Sequence, residues 1–247
     1  MKVLVYGILG YMGKEVRKLC EASYRGAEFS SGVDVFADGK DELVYSSLED
    51  VPNIEEVDCI VDFSHHEATK GLLEYAVSKN VPVVLSTTGH TEAEKKLIYD
   101  AAEKIPVFYS ANMSLGIALL VELAKKTAEA MPDAEIEIIE KHHNRKIDAP
   151  SGTALMIANA LCEVHPDAYA NNGRSGQGKR DKNEIGIHAI RMGNIVGEHE
   201  VIVGTENQTI TLRHEAHSRA LFAEGALAAA AFIKDKPAGL YDMKSLV

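Results

Sequence analysis

The amino-acid sequence predicts an α/β fold, a doubly wound parallel sheet joined to a smaller α+β region with a mixed or antiparallel sheet. Three observations lead there. Short apolar runs alternate with helical patterns over the first hundred-odd residues, a glycine turn follows the first run directly, and closely spaced alternating strands appear after residue 130.

In chain order, Val3–Tyr6, Phe29–Asp34, Val57–Phe63, Val81–Ser86 and Pro106–Tyr109 are apolar runs rich in Val and Ile, as expected of strands buried on both faces. Between them, Gly13–Ala22, Glu67–Lys79 and Thr91–Lys104 place apolar residues at helical spacing, as in Leu72, Leu73, Ala76 and Val77. Parallel neighbours require crossover connections, so this alternation implies a doubly wound sheet. A further helix is expected at Leu115–Ala130. Then Ala134–Lys141 alternates as a strand, Glu135 and Glu137 against Ile136 and Ile138, and Thr153–His165 reads as a helix. Beyond the glycine- and charge-rich stretch Asn172–Asn183, strands are expected at Ile185–Arg191, His199–Thr205 and Gln208–Glu215. The last helix, Arg219–Lys234, is alanine-rich, and we assign it to the first domain.

Composition narrows the function classes. Charged residues at 26% and hydrophobic residues at 46% describe a globular chain rather than a disordered one. The net charge of −11 argues against nucleic-acid and anionic-membrane partners, which need a basic surface. Any anionic ligand must therefore meet positive charge concentrated locally. Cys20, Cys59 and Cys162 are odd in number, far apart and set in apolar stretches, so they read as reduced core thiols. No signal-peptide pattern precedes the first strand, and the apolar run Leu221–Ile233 is too short to span a bilayer. A cytoplasmic protein is expected.

The turn Gly7-Ile8-Leu9-Gly10-Tyr11-Met12-Gly13 joins the first strand to the first helix. Glycines there let a pyrophosphate approach the amides at a helix amino end, where the dipole favours negative charge. Asp34 stands 21 residues after Gly13, where a carboxylate would meet adenosine ribose hydroxyls. The spacing is G-x-x-G-x-x-G, with the first glycine displaced by one from the dinucleotide fingerprint, and a tight turn that binds nothing is the alternative. Ser86-Thr87-Thr88 and Ser110-Ala111-Asn112-Met113 follow two later strands, at the sheet edge where ligands of open parallel sheets bind. Taken singly, each is more often a turn and helix cap.

One segment is basic in this acidic chain. From Glu140 to Ala154 it carries His142, His143, Arg145 and Lys146, then a helix start at Ser151-Gly152-Thr153 whose free amides suit an anion. His142 and Lys146 are proton donors of different strength, suited to general-acid work beside a negative substrate. A solvated basic loop with a capped helix is the plain alternative. The pair His214 and His217 lacks zinc-protease spacing, and no metal is expected.

The run H-H-x-x-K-x-D-A-P-S-G-T-A, unbroken from His142 to Ala154, resembles the signature of the dihydrodipicolinate reductases, also described as 4-hydroxy-tetrahydrodipicolinate reductases. The G-x-x-G-x-M-G start, Val61–Ser64, Thr87–Gly89, Ala111–Ser114 and the ending Gly239–Met243 extend the likeness nearly end to end. The resemblance implies a Rossmann domain from both chain ends, residues 1–113 and 219–247, and a central substrate and oligomerisation domain, residues 114–218. It implies His142 as acid/base residue and Lys146 as proton donor, with His143, Gly152 and Thr153 contacting a small dianionic substrate. On the cofactor side it implies Gly7, Ile8, Leu9, Gly10, Tyr11, Met12, Asp34, Ser86, Thr87, Thr88, Ser110, Ala111, Asn112 and Met113 around NADH or NADPH. It further implies a homotetramer, and closure between domains to join the reactants.

Two positions depart from the usual pattern of that family. Ser86 stands where many members have glycine, and no arginine follows Asp34. The second departure favours NADH at least as much as NADPH, because nothing adjacent compensates a 2′-phosphate, although Lys40 stands within the same loop. Two rival functions are a relative acting on another imine or amino acid, such as a diaminopentanoate dehydrogenase, and a non-catalytic dinucleotide sensor. The intact D-A-P-S-G-T stretch argues against the first, and His142 together with Lys146 against the second.

Overall fold

The first apolar run forms strand β1 (Lys2–Tyr6), and the glycine turn feeds directly into helix α1 (Tyr11–Glu21) in a computed structural model that describes all 247 residues. There follow β2 (Glu28–Val33), β3 (Val44–Tyr45), β4 (Cys59–Asp62), α2 (Thr69–Lys79), β5 (Val83–Leu85), α3 (Glu92–Ala102) and β6 (Pro106–Tyr109). Then come α4 (Leu115–Ala130), β7 (Glu135–His142), α5 (Gly152–Val164), β8 (Tyr169–Asn171), β9 (Glu184–Arg191), β10 (Gly197–Gly204), β11 (Thr209–Ala216), α6 (Ala220–Ile233) and β12 (Gly239–Tyr241). The chain forms two units, one of Met1–Leu115 with Arg219–Val247 and one of Gly116–Ser218.

The first unit holds seven parallel strands in the order β12-β6-β5-β4-β1-β2-β3. Strand order reverses between β1 and β4, so the glycine turn after β1 opens at the switch point of the sheet, where such folds bind ligands. Leu4, Ile60, Val83 and Val107 lie on adjacent strands with no exposure, each stabilising the fold by roughly 1.5–3 kcal/mol. Local sequence sets the helix ends. Thr91 and Glu94 form a reciprocal capping box at the start of α3, and α2 stops where Asn80 turns left-handed at φ 55°. Helix α6 packs along α1 and over β4, β5 and β6. Its Gly225 permits that approach, since a Cβ there would lie 1.7 Å from the Met113 carbonyl oxygen.

The second unit is a mixed sheet in the order β11-β10-β7-β9-β8, with β10 antiparallel to β7 and β11, and β9 parallel to β7 and β8. One face, through Ile136, Ile138, Ile185, Ile187, Val201 and Val203, forms a core with Ile117, Leu120, Val121, Ile157 and Leu161 of α4 and α5. The expected strands and helices form within one or two residues of their predicted ends. Asp34 lies just past β2 rather than in it. Strands β3, β8 and β12 were not expected; they are two or three residues long, too short to show a period of their own.

No helix is long and apolar enough to cross a membrane. Cys20 and Cys59 are buried free thiols, and burial pushes the Cys20 thiol up to about 12.

Candidate active site

In the first unit the glycine turn is built by close approach. Gly7 has φ +83°, and a Cβ on it would lie 2.7 Å from the Phe63 carbonyl oxygen; one on Gly13 would lie 2.2 Å from the Gly7 oxygen. Only glycine fits either place. The turn's amides are not equivalent. Gly7 and Ile8 donate to the Val33 carbonyl, Gly10 donates to the Gly7 carbonyl, and Leu9 donates to the Asp34 carboxylate at 3.1 Å. Tyr11 and Met12 open α1 and have no acceptor four residues back, so their amides are the ones placed to meet a phosphate. Ile8 is 2% exposed and packs under Gly32, so its side chain belongs to the core.

Two cavities flank the turn within this unit. One, of about 370 Å³, is lined by Tyr11, Met12, Ser64, Ser86, Thr87, Thr88, Ala111 and Met113, among others. The other, of about 390 Å³, is lined by Leu9, Gly10, Asp34, Val35, Phe36 and His65, among others. Ser86 is buried with a hydroxyl that finds no protein partner. Ser110 and Asn112 shape their own turn: Ser110 Oγ donates to the Asn112 carbonyl at 2.8 Å, and Asn112 Oδ1 accepts from Ser114 N–H at 2.9 Å. Sequence reasoning missed Phe222 of α6, which lines the first cavity. It also gave no role to Asp62, wholly buried at the end of β4, where burial raises its carboxyl above the ordinary value.

The second unit gathers the basic segment. His142 ends β7, the loop runs through Lys146 and Asp148, and Ser151 caps α5 by accepting from Ala154 N–H at 3.2 Å. Gly152 and Thr153 lie in the first turn of α5, and open space surrounds the Gly152 Cα. Lys146 Nζ pairs with Asp148 Oδ1 at 2.8 Å, and the pairing holds the Asp148 carboxyl below its ordinary value. His143 N–H donates to the Ile195 carbonyl at 2.8 Å. The His142 ring lies in a buried polar cluster. Its Nδ1 is 2.5 Å from Glu140 Oε2, and its ring meets that of His199 edge to face at 5.3 Å. Burial lowers the His142 pKa first of all, the Glu140 carboxylate opposes this, and the Lys146 and Arg191 charges add to the lowering.

Sequence reasoning missed Glu140 and Arg191. Glu140 has no exposure, and Arg191 of β9 grips both its oxygens, Nη2 to Oε1 at 2.6 Å and Nη1 to Oε2 at 2.8 Å. A legible signal existed: Glu140 shares the inward row of β7 with Ile136 and Ile138, where a carboxylate needs a partner.

Comparison with known proteins agrees with this architecture. Residues 1–113 match the family model for the dihydrodipicolinate reductase N-terminus, and residues 116–247 match that for its C-terminus. The 4-hydroxy-tetrahydrodipicolinate reductase of Caldanaerobacter subterraneus subsp. tengcongensis is 46% identical over 249 residues, covering 100% of this chain and 98% of that protein. The enzyme of the same name from Clostridium novyi is 43% identical with the same coverage. Among solved structures, the dipicolinate-bound dihydrodipicolinate reductase of Paenisporosarcina sp. TG-14 superposes with a TM-score of 0.84 over 100% of this chain and 99% of that one; at 24% identity it supports the fold alone. The chain is an oxidoreductase, and over its whole length it belongs to the dihydrodipicolinate reductase family.

Proposed function

We propose that this protein reduces 4-hydroxy-tetrahydrodipicolinate to tetrahydrodipicolinate with loss of water, in lysine biosynthesis through diaminopimelate. Family membership supports the reaction. The observation that carries it to particular residues is the segment His142–Ala154, in which an acid/base candidate and a lysine precede the amino end of α5. Substrate and NAD(P)H with one proton become tetrahydrodipicolinate, NAD(P)⁺ and water. When bound, the nicotinamide supplies the hydride. The glycine turn and the Ser86 hydroxyl suit that cofactor, the turn through the Tyr11 and Met12 amides and the serine through a buried donor without a protein partner.

His142 or Lys146 supplies the proton that the ring nitrogen gains as electron density arrives. Lys146 and the amides of Gly152 and Thr153 hold a carboxylate of the dianionic substrate. The test is loss of NADH absorbance on adding freshly made product of the preceding synthase. Rapid turnover with that imine, and none with 2,4-diaminopentanoate, is expected; the reverse pattern would replace this reading with the amino-acid dehydrogenase one.

NADH serves at least as well as NADPH. Asp34 would accept from both ribose hydroxyls but repel a 2′-phosphate, and the neighbouring Val35 and Phe36 offer no cation. Lys40, the nearest candidate in sequence, is paired with Asp38. The expected ratio of kcat/KM for NADPH over NADH is one or less, and a ratio above about ten would overturn the assignment, since it corresponds to about 1.4 kcal/mol in favour of the phosphate. We further propose a cytoplasmic homotetramer; the free cysteines support the compartment, and the sheet face opposite the α4–α5 core, where Ile139, Ile190 and Ile202 stand, supports the assembly.

A further inference from the structure

We propose that Glu140, gripped by Arg191, is a positioning residue that fixes His142 in its Nδ1–H tautomer and so reserves Nε2 for proton transfer. The proposal rests on the reductase reading for what the proton does, and on geometry alone for where it sits.

The Glu140 carboxylate accepts four hydrogen bonds. Oε1 receives Ser151 N–H at 2.9 Å and Arg191 Nη2 at 2.6 Å; Oε2 receives Arg191 Nη1 at 2.8 Å and His142 Nδ1 at 2.5 Å. Those four fill the acceptor sites of a carboxylate. Three of the donors, the serine amide and the two guanidinium nitrogens, cannot reverse their roles. Only the imidazole can, and an ionised Glu140 obliges it to donate from Nδ1. Burial pushes the Glu140 carboxyl up, but hydrogen bonds from Arg191, His142 and Ser151 outweigh it and hold the group below its ordinary value, in its acceptor form.

The same carboxylate joins four parts of the site. It stands on β7 with His142, takes its counter-charge from β9, bonds the cap residue of α5, and through Arg191, which also donates to the Asp148 carbonyl at 2.6 Å, reaches the loop that carries Lys146. The ring is thus held in fixed relation to the helix end that suits an anion. Gly197 of β10 adds a wall on the other side, since a Cβ there would lie 3.1 Å from His142 Nε2. A buried ion pair built only for stability could be replaced by apolar side chains at little cost. This one turns an oxygen to an imidazole, as a carboxylate does when it sets a histidine tautomer for catalysis.

The decisive substitution is Glu140→Gln, which keeps the shape and removes one acceptor. Ser151 N–H and Arg191 Nη2 both donate toward the Oε1 position, so the amide oxygen settles there and the amide nitrogen faces His142. The imidazole must then accept at Nδ1 and carry its proton on Nε2. In ¹⁵N-histidine-labelled protein, with the His142 signals assigned by their loss in His142→Gln, the wild type should show a protonated Nδ1 in the neutral ring. Glu140→Gln should show a protonated Nε2. On the same preparations kcat should fall about 10²–10³-fold, the scale expected for a misplaced acid/base proton, while the Kd for NADH stays within about twofold of the wild type. Glu140→Asp restores a carboxylate and should recover the Nδ1–H form and part of kcat.

The charges facing His142 are Glu140 on its own strand, Arg191 on β9, Lys146 in the loop and the His199 ring on β10. Glu140 alone raises its pKa, so the limb of the kcat–pH profile that reports the protonated ring should move to lower pH in Glu140→Gln. A wild-type ring with its proton on Nε2 would overturn the proposal by itself, whether or not any variant folds. So would Glu140→Gln with an unchanged tautomer or with kcat within about threefold of wild type. Absence of turnover in the wild type as well would count against the reductase reading, and the nitrogen spectra would still decide this one.

Discussion

At the scale of single residues, the two basic groups of the loop should fail in different ways. Lys146→Ala removes a charge beside a dianionic substrate and also takes away the ion-pair partner of Asp148. Turnover should fall and KM for the imine should rise together. His142→Ala leaves that charge in place and should act mainly on turnover, by about 10²–10⁴-fold. NADH binding followed by fluorescence should hardly change in either, and near-normal turnover in both would make the basic loop a structural element only. His199 gives a separate prediction about stability. Burial first, and the nearby His142 charge second, lower its pKa to about 4 from an ordinary 6.5. The native state therefore binds fewer protons than the unfolded chain between those values, so stability present above pH 6.5 is lost as pH falls toward 4. The loss attached to this one group is roughly 3 kcal/mol. The drop in Tm between pH 7 and pH 4.5 should be smaller in His199→Gln than in the wild type, and an equal drop would assign the acid sensitivity elsewhere.

At the scale of elements, close backbone approach decides which substitutions the fold tolerates. Gly225→Ala would place a methyl group 1.7 Å from the Met113 carbonyl oxygen, so α6 must shift off the loop after β6. A loss of at least about 1–3 kcal/mol is expected from such overpacking, read as a lower denaturation midpoint with an unchanged slope. Gly71, with open space around it in α2, is the control; Gly71→Ala should be neutral or stabilising by up to about 1 kcal/mol. The same contrast explains what the sequence could reveal. Long elements with a clear period, such as α4 and β7, could be read directly, and so could the turn in which Gly10 and Gly13 are crowded by the Gly7 carbonyl a few positions away, whereas the Phe63 carbonyl that crowds Gly7 is 56 positions distant. Strands β3, β8 and β12 carry too few residues for a pattern and exist because a sheet edge was there to pair with. The Glu140–Arg191 contact spans 51 positions and depends on the parallel register that sets His142 opposite Arg191. A single chain without its pairing does not display that register, although the carboxylate in the inward row of β7 was a visible anomaly.

At the scale of the whole molecule, the second sheet leaves one face without a covering layer from its own unit. Strand parity places Glu137, Ile139 and Lys141 of β7, His188 and Ile190 of β9, Glu198, Glu200 and Ile202 of β10, and Thr211 and Arg213 of β11 on that face. It is not an ordinary solvated surface. Isoleucines lie among charges most of which are matched within the unit: Glu137 with Arg180 of the loop before β9 at 3.0 Å and with His188 at 2.8 Å, and Glu198 with Lys141 at 3.0 Å and Arg213 at 2.8 Å. Charges neutralised in place reduce the cost of covering the face, and the long edge strand β11 presents unpaired backbone groups that a second sheet would satisfy. Pairing of such sheets between subunits is how we expect the chain to assemble, as the tetramer that the family resemblance implies. Sedimentation velocity at micromolar concentration should show a species of four 26.8 kDa chains. The double substitution Ile139→Asp and Ile202→Asp puts two unmatched carboxylates on the face and should dissociate it. Since the glycine turn and Asp34 belong to the other unit, the dissociated chain should still bind NADH with a Kd close to that of the wild type. A wild-type profile containing only monomer would refute the assembly, and a variant that remains tetrameric would show that the subunits meet through some other surface.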